Sequence, residues 1–168
     1  MIATNGLLQA GVSANAILYA DGVDTNPPLP HLTNEANLAG HISWGYHSSR
    51  GPLYATTNAT ITNGSIPVKW TGRSSWYLIH TEESTSGMRY GQGSGDFVQW
   101  FASTAFGGTG YSNTPVAAIS FTEESGGDGA LNDILFDLWA GGNNFAVCAW
   151  NSTNTVYLQA VGDPFVRR

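Results

Sequence analysis

The sequence predicts an all-β fold, an antiparallel sandwich or barrel, on three observations: a strand-and-loop unit written twice, short alternating runs closed by Gly and Asn turns, and no long amphipathic helical stripe. The repeat lies within residues 74–140. Trp76-Tyr77-Leu78-Ile79-His80-Thr81-Glu82-Glu83-Ser84 is followed 41 residues later by Ala117-Ala118-Ile119-Ser120-Phe121-Thr122-Glu123-Glu124-Ser125. Each copy enters a glycine-rich loop, and beyond the loops residues 97–102 match residues 135–140 at a spacing of 38. Two copies are too few for a solenoid.

In chain order, residues 1–50 have poor strand periodicity and contain Pro27, Pro28 and Pro30, which force extended backbone. They are expected to form an extended arm with one helical turn at residues 33–38, capped by Thr33. Residues 51–168 are expected to form a single β domain. Within it, Asn63-Gly64 between two short runs signals a hairpin, and Pro67 puts the second run at a sheet edge or a bulge.

Residues that align between the copies should share a face. Leu78 aligns with Ile119 and His80 with Phe121, giving one apolar face. In the second strands Val98, Trp100 and Ala102 align with Phe136, Leu138 and Ala140 as the core face. The opposite face carries Phe97, Gln99 and Phe101 against Leu135, Asp137 and Trp139. Large apolar groups around one polar residue make these six the candidate surface for a protein interface or for stacking on a glycan. A second buried layer is the competing assignment. A last hairpin is expected to join residues 145–150 to residues 155–161.

Charged residues make up 11% of the chain, against about 25% in typical soluble domains. The net charge of −6 would repel a phosphate backbone, so nucleic acid is not an expected partner. No apolar run reaches the length of a membrane span, and no basic segment with an apolar core opens the chain, so neither insertion nor secretion by that route is expected. Cys148 is the only cysteine, which excludes an intrachain disulfide, and its apolar neighbours make it a buried small hydrophobe. The glycosylation triplets at Asn58, Asn63 and Asn151 are what an Asn-, Ser- and Thr-rich chain produces by chance.

Glu82-Glu83 and Glu123-Glu124 pair carboxylates as acid-base catalysis or Ca²⁺ binding would require. They stand at equivalent corners, however, whereas catalytic carboxylates need unequal environments. Solubilising strand ends is the simpler role. The Gly126-Gly127-Asp128-Gly129 loop with Asn132 and Asp133 offers oxygen donors without the spacing of an EF-hand. His31, His41, His47 and His80 lack zinc spacing, and His80, aligned with Phe121, is expected to be a packed ring. No nucleophile elbow, phosphate loop or dinucleotide fingerprint is present, and no cofactor, metal or catalytic residue is expected.

The charge-poor Gly/Thr/Ser/Asn-rich β domain with its long arm resembles the virion structural proteins of tailed bacteriophages, with head decoration or cement proteins the nearest kind. The resemblance is one of composition and organisation and carries over no functional residue. It implies a non-enzymatic structural protein of a viral particle, assembled in the host cytoplasm. Its partners would be other copies of itself and a major capsid or tail protein, with a trimer the expected closed form. The alternative is a carbohydrate-binding β-sandwich, lectin-like or the receptor-binding part of a fibre, using Trp100, Trp139 or neighbouring Tyr residues as stacking platforms.

Overall fold

A computed structural model describes residues 7–8, 34–36, 38–43, 69–71, 74, 76–82, 85, 87–88, 100–123 and 130–168. Its centre is a four-stranded sheet. β2 (Gly40–Ser43), β4 (Leu78–Thr81) and β5 (Ala117–Phe121) run parallel, and β6 (Leu158–Gly162) closes the sheet antiparallel to β5. A second, two-stranded parallel pair joins β1 (Asn34–Ala36) to β3 (Lys69–Thr71). Two helices, α1 (Asn132–Ala140) and α2 (Phe145–Ser152), connect β5 to β6.

β4 and β5 are buried at every position. That is the signature of parallel strands covered on both faces, where the usual apolar-polar alternation is lost. On one face Leu78, Ala117 and Ile119 pack against Leu135, Phe136 and Trp139 of α1 and Phe145, Cys148 and Ala149 of α2, with Leu7 against the same cluster. On the other face Ile79 and Ala118 meet an aromatic layer of Trp70, Tyr77, Trp100 and Phe106. Phe106 lies in a short 3₁₀ turn, Ala105–Gly107, and contacts both Trp70 and Tyr77 with ring centroids 6.3 Å apart.

The all-β sandwich is therefore overturned: the fold is a mixed α/β sheet with a helical hairpin on one face. Residues 135–140 were assigned to a strand because large apolar groups stand at both parities. The buried members are Leu135, Phe136 and Trp139, spaced i, i+1, i+4, which is a helical stripe. In α2 the buried residues Phe145, Cys148, Ala149 and Ser152 follow i, i+3, i+4, i+7. Asn144 caps α2, its Oδ1 accepting from the Val147 N–H at 3.0 Å. α1 ends at Gly141, whose N–H donates to Asp137 O at 2.9 Å. The expected hairpin of residues 145–150 with 155–161 is thus a helix followed by β6, and β6 pairs with β5 instead.

Two further expectations change. Residues 34–36 are a strand rather than a helical turn. Trp100 is helical and residues 101–104 form turns, so this stretch of the first repeat's second strand is not a strand. Within residues 1–50, β1 pairs with β3 and β2 pairs with β4, so this segment contributes strands to both sheets. Trp139 Nε1–H donates to Ala39 O at 3.0 Å and ties α1 to the start of β2. The Asn63-Gly64 hairpin, Pro67 and the proline cluster lie outside the described residues.

The repeat itself is present in the sheet, though its strands are parallel. Pairing sets Leu78 beside Ala117 and His80 beside Ile119, so the copies that align at 41 residues are staggered by two in space. An even stagger preserves parity. Leu78 and Ile119 share the helical face, as the alignment requires.

Past β4 the chain folds back over the end of β5, where Gly87 N–H donates to Phe121 O at 2.7 Å. A methyl at Gly87 would lie 2.5 Å from Ser120 O, a backbone atom that cannot move aside. Gly87→Ala is expected to cost about 1–3 kcal/mol, lowering the thermal midpoint by several degrees. Gly141→Ala, whose methyl meets nothing nearer than 3.3 Å, is expected to stay within about 1 kcal/mol of the parent in the same calorimetric scan.

Candidate functional site: a protein interface on the outer face of α2

Among the described residues, several places carry polar or exposed groups that packing alone does not require. The first is the carboxyl edge of β4 and β5, where open α/β sheets commonly bind ligands. His80 is fully buried there. Its Nδ1 lies 3.0 Å from Ile119 O, a carbonyl that can only accept, so Nδ1 carries a proton. Nε2 faces Glu82 Oε1 at 3.5 Å. Asn132, the first residue of α1, also donates to Glu82 Oε1. Contact with His80, opposed by burial and aided by Asn132, holds the Glu82 carboxyl below its usual range. Beneath this pair Thr81 Oγ1 and Ser120 Oγ hydrogen-bond across the strands, and Ser120 Oγ–H also reaches Thr81 O.

One nitrogen of His80 is tied to the backbone, and the other lies buried beside Glu82 without a hydrogen-bond partner. The group links β4, β5 and, through Asn132, the start of α1. The two acidic corners are not equivalent, contrary to the sequence alignment. Glu82 is half-buried beside His80, whereas Glu123 is exposed. Glu83, Glu124 and the loop around Asp128 lie outside the described residues. Among the described residues no group of three metal-binding side chains occurs.

The six surface candidates are dispersed. Leu135 and Trp139 are buried in the core beneath α1, at 0% and 1% exposure, and present no surface to a partner or a sugar. Asp137 is partly exposed on α1, its carboxyl raised by burial and then by Asp133. Phe101 is half-buried against the aromatic layer. Phe97 and Gln99 lie outside the described residues. Trp100 belongs to the core. His41 stacks at 5.1 Å on Trp70, and burial lowers its pKa to about 4, so it is neutral at pH 7; His31 and His47 lie outside the described residues. Cys148 is buried, and burial pushes its thiol up to about 11, which leaves no thiolate at neutral pH.

The second place is the outer face of α2. The buried stripe of this helix leaves Ala146, Val147 and Trp150 on its far side, with Trp150 84% and Val147 39% exposed. Residues after β6 are strapped along the helix start: Phe145 N–H donates to Val166 O at 2.8 Å and Ala146 N–H to Pro164 O at 3.0 Å. Val166 is drawn into the core, which leaves its neighbour Phe165 79% exposed. Trp76, 54% exposed, joins this strap through its Nε1–H to Arg167 O at 3.1 Å. Between helix and strap lies a hollow of about 320 Å³ lined by Gly142, Asn143, Asn144, Val147, Phe165 and Arg167. The first N–H groups of α2 are all taken, by Val166 O, Pro164 O, Asn144 Oδ1 and Asn144 O, so the helix start is not an anion cradle.

Isolated exposed apolar residues are ordinary; Val147 and Phe165 line one hollow, which makes this face a candidate interaction surface. Sequence reading missed Trp150 and Phe165 because α2 was assigned to a strand. The i, i+3, i+4, i+7 spacing from Phe145 to Ser152 was the signal that would have placed Trp150 outside. No protein-family model, curated protein or solved structure significantly matches this chain. Among the described residues no helix is long and apolar enough to cross a membrane.

His41 and Glu82 predict two windows of acid sensitivity. His41 has its folded pKa depressed from 6.5 to about 4, so the unfolded chain binds the extra proton and stability falls as pH drops from 6.5 to 4. Glu82 is also depressed, so its contribution is present above the ordinary carboxyl range near 4.5 and is lost below it. In urea titrations at successive pH values, His41→Phe is expected to flatten the upper window and Glu82→Gln the lower one. A slope unchanged in its own window would refute the corresponding assignment.

Proposed function

We propose that this chain is a non-enzymatic structural protein of a viral particle, of the decoration or cement kind, which stabilises an assembly through protein contacts. What supports this reading is the exposure of large apolar side chains, Trp150 and Val147 on α2 and Phe165 and Trp76 on its strap, on a chain with few charges. Aromatic anchors of this size dominate binding energy in protein interfaces. The low charge suits close packing against neighbours, where each charge would have to be desolvated. The partners follow from the same reading: copies of the chain itself and a major capsid or tail protein.

A competing enzymatic reading would need His80, which is fully buried with Nδ1 against the Ile119 carbonyl. The carbohydrate reading loses both its tryptophan platforms, since Trp100 and Trp139 are core residues.

The test is a stripping and rebinding experiment on purified particles. Wild-type chain is expected to return to stripped particles in fixed stoichiometry. The double variant Trp150→Ser, Phe165→Ser is expected to bind at least about thirty-fold more weakly, the scale of losing an aromatic anchor. Both side chains are solvent-exposed, so circular dichroism and thermal midpoint should be nearly unchanged. Particles that neither contain nor rebind the chain would overturn the proposal.

A further inference from the structure

At the carboxyl ends of β4 and β5 the chain leaves two neighbouring parallel strands in opposite directions. After β4 it crosses the face that carries Trp100, Ala105 and Phe106, and after β5 it crosses the other face as α1 and α2. Diverging connections of this kind open a crevice at the strand ends, where open α/β sheets take their ligands. His80 in β4, Glu82 just beyond it and Asn132 at the start of α1 meet there.

Two of their polar atoms have no partner within the chain. His80 Nε2 and Asn132 Oδ1 are both buried and make no hydrogen bond, and the His80 side chain is fully buried. Since Nδ1–H donates to Ile119 O at 3.0 Å, the neutral ring carries its lone pair on Nε2. That nitrogen faces Glu82 Oε1, an acceptor, and Asn132 Oδ1 is another. A cation suits such a set. The separation narrows the choice, because 3.5 Å between Nε2 and Oε1 exceeds the roughly 2.7–3.2 Å of an N–H···O hydrogen bond. Nitrogen and oxygen ligands bonded tetrahedrally to one zinc ion stand about 3.3–3.5 Å apart.

We infer that His80 Nε2 and Glu82 Oε1 bind a divalent transition-metal ion of the zinc kind, with Asn132 Oδ1 and solvent oxygens completing its shell. An imidazole ligand argues against Ca²⁺ and Mg²⁺, which take oxygen, and suits zinc. The supporting contacts are those of a ligand pair. A metal-binding histidine donates its other ring N–H to a carbonyl or carboxylate, and a ligating carboxylate is itself hydrogen-bonded. Ile119 O meets the first condition and Asn132 Nδ2–H the second. The Glu82 carboxyl is held below its usual range, so it is ionised at neutral pH. Its side chain is 32% exposed, which gives the ion a way in and leaves room for water. With two strong side-chain ligands the site is open, as exchangeable and catalytic zinc sites are, rather than closed like a structural one. The inference rests on the strand-end geometry alone and goes beyond the assembly reading.

Titration of the full chain with ZnCl₂, followed by ¹⁵N–¹H NMR of the histidine rings, tests it. The expected result is that the His80 Nε2 signal moves to the position of a metal-bound imidazole nitrogen while Nδ1 stays protonated. The thermal midpoint should rise with zinc and return on adding EDTA. Glu82→Gln, at a half-exposed position, and Asn132→Ala are each expected to weaken zinc binding by at least about tenfold. A His80 ring unmoved by saturating ZnCl₂, or a shift confined to the other three histidines, means an adventitious ion only and overturns the inference. An affinity indifferent to Glu82→Gln in a folded variant does the same. The ring spectrum of the parent chain decides the matter even where a variant fails to fold.

Discussion

The rest of this structure depends on one constraint, the parallel pairing of β4 with β5 as strands buried on both faces. Parallel neighbours cannot be joined by a tight turn, so the chain between them must cross over a face of the sheet. Residues 82–116 make that crossing, and the described part of it delivers Trp100, Ala105 and Phe106 to one face. The opposite face would remain wet unless the next connection covered it. The link from β5 to β6 does so with α1 and α2. Two connections, one on each face, close the core around a pair of short strands.

Burial on both sides also determines what happens to the polar residues in those strands. Thr81 and Ser120 stand in register and bond to each other. His80 Nδ1 uses the carbonyl of its strand neighbour Ile119, and Nε2 lies beside Glu82, just beyond the end of β4. Thr81, Ser120 and His80 Nδ1 therefore find their partners across the β4–β5 seam, as buried polar groups generally do. The chemistry visible at the strand ends is placed there by the fold. On α2 the inner stripe packs on the sheet while Val147 and Trp150 face away from it.

How much of this was legible depended on whether a signal concerned parity or period. The first strand of each repeat copy was legible, as residues 78–81 and 117–121 are strands, and the even stagger keeps Leu78 and Ile119 on one face. Direction was not, because side-chain alternation is identical in parallel and antiparallel strands. The helices were misread for a different reason. Leu135 and Phe136 are adjacent, so their run satisfies a two-residue alternation on either face as readily as a helical stripe, and α1 and α2 are each short enough to be taken for a strand. That error moved Trp139 and Leu135 to the surface and hid Trp150. The role of Glu82 was beyond sequence reading altogether, since its ties to His80 and Asn132 depend on how β4 meets α1 across 50 residues of chain.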